Sequence, residues 1–210
     1  MPDRYPNFLK DVAEYYSATL AEHGESPRGV DWNGAESQRL RFEQLGKIID
    51  QPAAFSVNDL GCGYGALYDY LALQYRDFIY NGFDVSGDMV LAAKARYSNR
   101  RNACFAIGAE PTEIAHYGVA SGIFNVRLGH NDDQWRGHLW NTLDLLHRTS
   151  RKGFAFNCLT LYSDADKMRN YLYYADPCVL FDLCKRRYSR HVALLHDYGL
   201  YEFTILVRKE

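Results

Sequence analysis

Two periods of apolar residues alternate along the chain. Phe8, Val12, Tyr15 and Tyr16 recur at helical spacing, which predicts an amphipathic helix over residues 7 to 22. Gly24 through Gly29, with Pro27 between, breaks it. A second helix places Gln38, Phe42, Leu45 and Ile49 on one face, with Asn33 as its expected cap and Glu36 as the reciprocal partner. Short apolar runs then alternate with helix-patterned stretches. Phe55 to Leu60 precedes Leu67, Tyr70, Leu71 and Gln74, and Ile79 to Val85 precedes Met89, Leu91, Ala92, Ala95 and Arg96. Ala103 to Ile107 is a third strand, and Gly118 to Gly122 a fourth, followed by a helix with Trp135, Leu139, Leu143 and Leu146 on one face. Gly153 to Leu159 is continuous and apolar except for Asn157, as a strand buried on both faces should be.

Beyond that strand, Ser163 with Asp166 predicts the cap of a short helix through Met168, Leu172 and Tyr173. Asp176-Pro177 starts another through Val179, Leu180, Leu183 and Arg187. Arg190 to His196 and Glu202 to Arg208 are strands joined by Asp197-Tyr198-Gly199-Leu200, a connection short enough to imply an antiparallel pair. Alternating strand and helix predict an α/β fold, a doubly wound seven-stranded mostly parallel sheet with a C-terminal antiparallel hairpin. One domain over residues 1–210 is expected, with 1–52 as an N-terminal helical cap and 53–210 as the core.

Chemistry enters at Asp59-Leu60-Gly61-Cys62-Gly63-Tyr64-Gly65, the junction of the first strand and its helix. Alternate glycines strip Cβ atoms from a tight turn, so a ligand can lie against backbone N–H groups at a helix N-terminus. About 20 residues on, at the end of the adjacent strand, Asp84 stands where a ribose diol would be gripped. Gly61 to Ala66 also satisfies the loose dinucleotide pattern, so NAD competes as the ligand. Asp59, two residues before the first glycine, argues against it, because a carboxylate there suits an ammonium and repels a pyrophosphate.

On Asp59-x-Gly61-x-Gly63-x-Gly65 and Gly82-x-Asp84-x-Ser86, with the order of elements over Phe55 to Lys209, the chain resembles the class I S-adenosylmethionine-dependent methyltransferases. The resemblance implies S-adenosyl-L-methionine as cofactor, held by Asp59, Gly61, Cys62, Gly63, Tyr64 and Gly65, and by Asp84, Val85, Ser86 and Met89. It places Ala109 and Glu110 at the adenine and counts Ser121 and Gly122, at the end of the fourth strand, among the cofactor contacts. It makes the N-terminal helices a wall of the acceptor cavity, which Trp32 and Arg41 could line; the plainer reading is a packing tryptophan and an exposed arginine.

Methyl transfer from a sulfonium needs alignment and water exclusion more than a dedicated base. His130, on the segment after the fourth strand, is the candidate base, and Asn157 a second catalytic candidate that could bond the acceptor or satisfy a loop backbone. Phe124, Asn125, Trp135 and Tyr171 are candidate acceptor contacts, while His138 and His147 are expected in solvent. No metal-ligand spacing is evident. A formal net charge of −2 leaves no general positive field for nucleic acid. Five scattered cysteines without a C-x-x-C pair read as reduced thiols. Met1 to Tyr5 shows no apolar leader and no run is long enough to span a bilayer, so a cytoplasmic monomer or homodimer acting on a small-molecule methyl acceptor is expected. The alternatives are an NAD-dependent oxidoreductase and a catalytically inactive S-adenosylmethionine-binding regulatory subunit.

Overall fold

The structure, a computed structural model, describes residues 7–50 and 53–209. The reading of Met1 to Tyr5 and the boundary at residue 52 lie outside the described residues. Helix α1 (Asn7–His23), a 3-10 turn (Pro27–Val30) and α2 (Ala35–Gly46) precede the sheet. Then follow β1 (Phe55–Leu60), α3 (Ala66–Gln74), β2 (Phe78–Asp84), α4 (Gly87–Arg96), β3 (Ala103–Ile107) and β4 (Ala115–Ala120). The chain continues with α5 (Asp132–Thr149), β5 (Ser150–Leu159), α6 (Pro177–Arg187), β6 (His191–Leu195) and β7 (Glu202–Arg208).

The sheet has seven strands in the order β3-β2-β1-β4-β5-β7-β6. β1 pairs in parallel with β2 on one side and β4 on the other, while β7 runs antiparallel between β5 and β6. The strand order therefore reverses at β1, and the crevice at the carboxyl ends of β1 and β4 is where such sheets bind ligands. Strand alternation divides the core: Phe154, Phe156 and Cys158 of β5 join Leu139, Leu143 and Phe203, and Ala155 joins Leu45, Val57 and Tyr80.

Several local expectations are corrected. The cap of α2 is Gly34 without a side-chain bond, so the Asn33–Glu36 box does not form. β4 starts three residues early, at Ala115, which leaves Ser121 and Gly122 free to turn at its end. No helix forms between Ser163 and Tyr173. That segment is irregular and tied down by bridges from Val126 to Leu172 and from Thr160 to Ala175, because its polar start offers no face to bury. α6 does begin at Pro177, with the Asp176 carboxylate accepting from Cys178 N and Val179 N. No helix among the described residues is long and apolar enough to cross a membrane.

Candidate active site

At the end of β1 the chain reverses through Gly61, Gly63 and Gly65, whose φ values of 71°, 55° and 88° lie where only glycine rests without strain. Their roles differ. A Cβ on Gly61 would stand 2.1 Å from Ile123 Cγ2, and one on Gly63 3.0 Å from Val30 Cγ1; both glycines line the central cleft. Gly65 faces the core instead, where a Cβ would meet the Tyr97 ring at 2.6 Å, and it is absent from the cleft wall. The turn's N–H groups are also spoken for: Gly61 N and Cys62 N donate to Phe83 O at 2.7 and 3.1 Å, and Gly63 N to Asp84 Oδ2 at 2.9 Å. The glycines thus contribute close approach to the backbone and a fixed link to β2, more than free donors.

Asp84 accepts one bond on each oxygen, the second from Ser86 N at 2.8 Å, and each oxygen keeps a lone pair. Burial raises its pKa against the lowering effect of those backbone bonds. Ser86 itself caps α4 through Met89 N and touches Ser17 of α1 at 2.9 Å, so it supports the site without lining it. Asp59 is 2% exposed. Its Oδ2 accepts from the Tyr80 hydroxyl, and its Oδ1 has no partner. Burial pushes its carboxyl up to about 7, opposed by the Tyr80 bond and reinforced by Asp84.

The cleft encloses about 1000 Å³ counted out to its mouth, between Asp59, Cys62, Tyr64, Asp84, Val85 and Met89 on the β1 and β2 side and Ser121, Gly122 and Ile123 after β4. Gly108 and Ala109 close one end, and Leu9, Val12 and Tyr16 of α1 cover it. Glu110 is exposed and off the wall, so the end of β3 offers backbone and not a carboxylate. Besides Asp59 Oδ1, the cleft residue Ser121 carries a buried hydroxyl oxygen without a partner. Unsatisfied buried groups on a cavity wall mark where a ligand's polar groups belong. A carboxylate for an ammonium, a second for a diol and an apolar slot beyond them fit an amino-acid–nucleoside ligand.

The expected base is not brought to the cleft. His130 Nε2 lies 2.9 Å from Asp11 of α1 and is absent from the described walls. His138, expected in solvent, is the histidine that does line the cleft, against Phe8 and Trp135 at ring distances of 5.0 and 5.3 Å. Burial lowers its pKa to about 4, so it is neutral at neutral pH. His147 likewise sits half-buried on Tyr188, 5.1 Å away. His138 stands three residues after Trp135 and four before Thr142, which also line the cleft, and that spacing was the available signal. Trp135 is 1% exposed and donates to Phe124 O at 2.8 Å, while Phe124 is fully inside the core and touches neither cavity.

A second cavity adjoins the first and shares Tyr16, Val30 and Trp32 with it. Its wall includes Asn125 and Tyr171, two expected acceptor contacts, together with Arg41, Tyr174, Tyr201 and Glu202. Arg41 is not exposed: it is 6% accessible, bonded through Nε and Nη2 to Glu202, and stacked 3.8 Å from the centre of the Trp32 ring. Glu202 also accepts from Asn157 Nδ2 at 2.6 Å, and Asn157 Oδ1 accepts from Gly122 N at 2.7 Å. Gly122, with φ 75°, lies so close under Trp32 that a Cβ there would be 2.4 Å from the ring. The circuit Trp32, Arg41, Glu202, Asn157, Gly122 closes on itself and holds the partition between the cavities. Asn157, 0% exposed and bonded at both ends, acts on the turn after β4 and lines neither cavity.

No family model matches the chain. It is 62% identical over 163 residues to "Putative methyltransferase Rv1506c" of Mycobacterium tuberculosis (strain ATCC 25618 / H37Rv), a match spanning 78% of this chain and 98% of that protein. The chain therefore belongs to that methyltransferase family. Its fold is shared with magnesium protoporphyrin IX methyltransferase (ChlM) from Synechocystis PCC 6803, solved with bound SAM, at a TM-score of 0.69 and 10% identity over 99% of this chain and 100% of that one. It is shared too with the N-methyltransferase NodS from Bradyrhizobium japonicum WM9, solved with S-adenosylhomocysteine, at a TM-score of 0.63 and 15% identity over 97% and 99% of the two chains.

Proposed function

We propose that this methyltransferase moves a methyl group from S-adenosylmethionine to a small metabolite or biosynthetic intermediate that enters through the second cavity. The observation that carries the reading is the cleft residue Asp59, whose buried Oδ1 has no partner, with Asp84 on the same wall. Asp59 would hold the ammonium of the methyl donor, Asp84 its ribose diol, and Val85, Met89 and the Gly108–Ala109 backbone its adenine. The bound donor supplies a methyl group on a positively charged sulfur, already activated for displacement.

The chain's own residues then have three tasks. Leu9, Val12 and Tyr16 of α1 exclude water from the cleft. Trp32, clamped between Arg41 and Gly122, gives the acceptor a fixed wall where the cavities meet. Asn157 and Glu202 hold that wall in place through Gly122 and Arg41. The oxidoreductase and regulatory-subunit alternatives are weaker on the same geometry: a pyrophosphate would meet Asp59, and an acceptor cavity beside the donor cleft serves catalysis more directly than regulation.

The charge state of Asp59 makes a pH prediction. Its folded pKa of about 7 lies above the ordinary carboxyl value of 3.8, so the unliganded protein loses stability as pH rises between these values. An ammonium beside Oδ1 favours the ionised form, so ligand binding releases a proton below about pH 7. S-Adenosylhomocysteine affinity should therefore fall, approaching about tenfold per pH unit, as pH drops below that value. Calorimetry at pH 6 in buffers of different ionisation enthalpy checks the proton release, and Asp59→Asn should abolish both it and the slope.

A further inference from the structure

We propose that the second cavity recognises an oxyanion on the methyl acceptor, a carboxylate or a phosphate ester, and that Nη1 of Arg41 is its anchor. The inference rests on the reading of that cavity as the acceptor site. Arg41 spends Nε on both Glu202 oxygens, at 3.0 and 2.9 Å, and Nη2 on Oε1 at 2.6 Å. Nη1 is buried and has no partner. The guanidinium cannot swivel to find one, because Glu202 grips one edge and the Trp32 ring lies 3.8 Å from its central carbon. A buried cationic donor with an unmade hydrogen bond is costly, and an anionic acceptor satisfies it best.

The rest of the wall agrees with an anion. Glu202 is saturated, with Oε1 taking two bonds from Arg41 and Oε2 one each from Arg41 and Asn157, so its charge is offset and no lone pair is turned outward for a cationic ligand. Lys167 and Arg169 stand on the same wall. Their present contacts are exposed ones, Lys167 with Asp166 at 3.3 Å and Arg169 with the carbonyls of Asp166 and Met168, which leave both cations able to steer an incoming anion. The remaining carboxylate on the wall, Asp31, is engaged by the Tyr15 hydroxyl at 2.9 Å. Tyr16, Tyr171, Tyr174 and Tyr201 give the cavity aromatic sides suited to a planar body behind the anion.

The test titrates benzoate, phenyl phosphate and neutral benzamide into wild-type protein, with and without saturating S-adenosylhomocysteine, by calorimetry. One of the anions should bind at least about tenfold more tightly than benzamide, benzoate if the group is a carboxylate and phenyl phosphate if it is a phosphate ester. Arg41→Lys keeps a cation for Glu202 but has no Nη1, and should lose about tenfold in anion affinity measured without S-adenosylhomocysteine. Should that variant melt early, Lys167→Ala/Arg169→Ala should lower the on-rate and the salt dependence of anion binding. Equal affinity for benzamide and both anions, or wild-type anion binding in the folded variants, would overturn the inference. Failure of S-adenosylhomocysteine to bind would count against the methyl-donor reading alone, since the anion preference is also measured without it.

Discussion

Glu202→Ala should cost the fold about 3 to 5 kcal/mol, enough to remove much of the stability of a domain this size. Glu202 is 1% exposed, and its removal leaves the Arg41 guanidinium buried without its counterion, and Asn157 Nδ2 without its acceptor. The loss should be read as the cost of stranding a charge and not as the worth of the pair, so Glu202→Ala combined with Arg41→Met should recover part of it. Urea denaturation of the wild type and the two variants checks this. If the single variant melts within about 0.5 kcal/mol of wild type, the buried circuit is not the structural tie described above. Because the same circuit holds Trp32 and Gly122, any folded fraction should also bind acceptor poorly.

The second large effect belongs to the glycine turn. Gly61→Ala should weaken S-adenosylhomocysteine binding by about a hundredfold in the folded protein, with some loss of stability from the left-handed backbone as well. At φ 71° an alanine pays for the left-handed conformation, and its Cβ would stand 2.1 Å from Ile123 Cγ2, driving a wall residue of the cleft into the space the cofactor needs. Gly129→Ala is the control, because nothing lies within 4 Å of a Cβ there and its φ is not in the left-handed range. Calorimetry on both variants separates a local steric effect from general damage; equal losses, or none in either, would mean that the turn does not abut the ligand.

The fold was legible because its signals are local and repeated. Each of β1, β2, β3 and β5 announces itself as an apolar run ended by glycine or polar residues, and Asp176-Pro177 marks a helix start by capping chemistry that needs no tertiary context. The segment after Thr160 misled for the complementary reason: Ser163 and Asp166 have the spacing of a cap, but beyond them Leu172 bridges to Val126, remote in sequence, and Ala175 folds back on Thr160. The donor cleft was legible as a place because Asp59 and Asp84 lie at the carboxyl ends of adjacent strands, where topology alone brings them together. The second cavity was not. Arg41 and Glu202 are 161 residues apart, and only the sheet order, which inserts β7 beside β5, makes them neighbours. An acid at the head of an otherwise apolar strand was a faint sign of Glu202, and nothing in the local pattern distinguished Arg41 from an exposed helix residue. His130 and His138 exchanged places because α1 covers the loop histidine with Asp11 and turns the helix histidine toward Phe8 and the cleft.

The central claim is that the cleft at the ends of β1 and β4 seats a methyl donor through its ammonium and its ribose. Calorimetric titration of S-adenosylhomocysteine and of NAD into the wild type and into Asp84→Asn tests it most directly. The account predicts one S-adenosylhomocysteine per chain, weakened at least about tenfold in the variant by loss of a charge-assisted bond to the diol, and negligible NAD binding. Preferential binding of NAD, or S-adenosylhomocysteine affinity indifferent to Asp84, would contradict it.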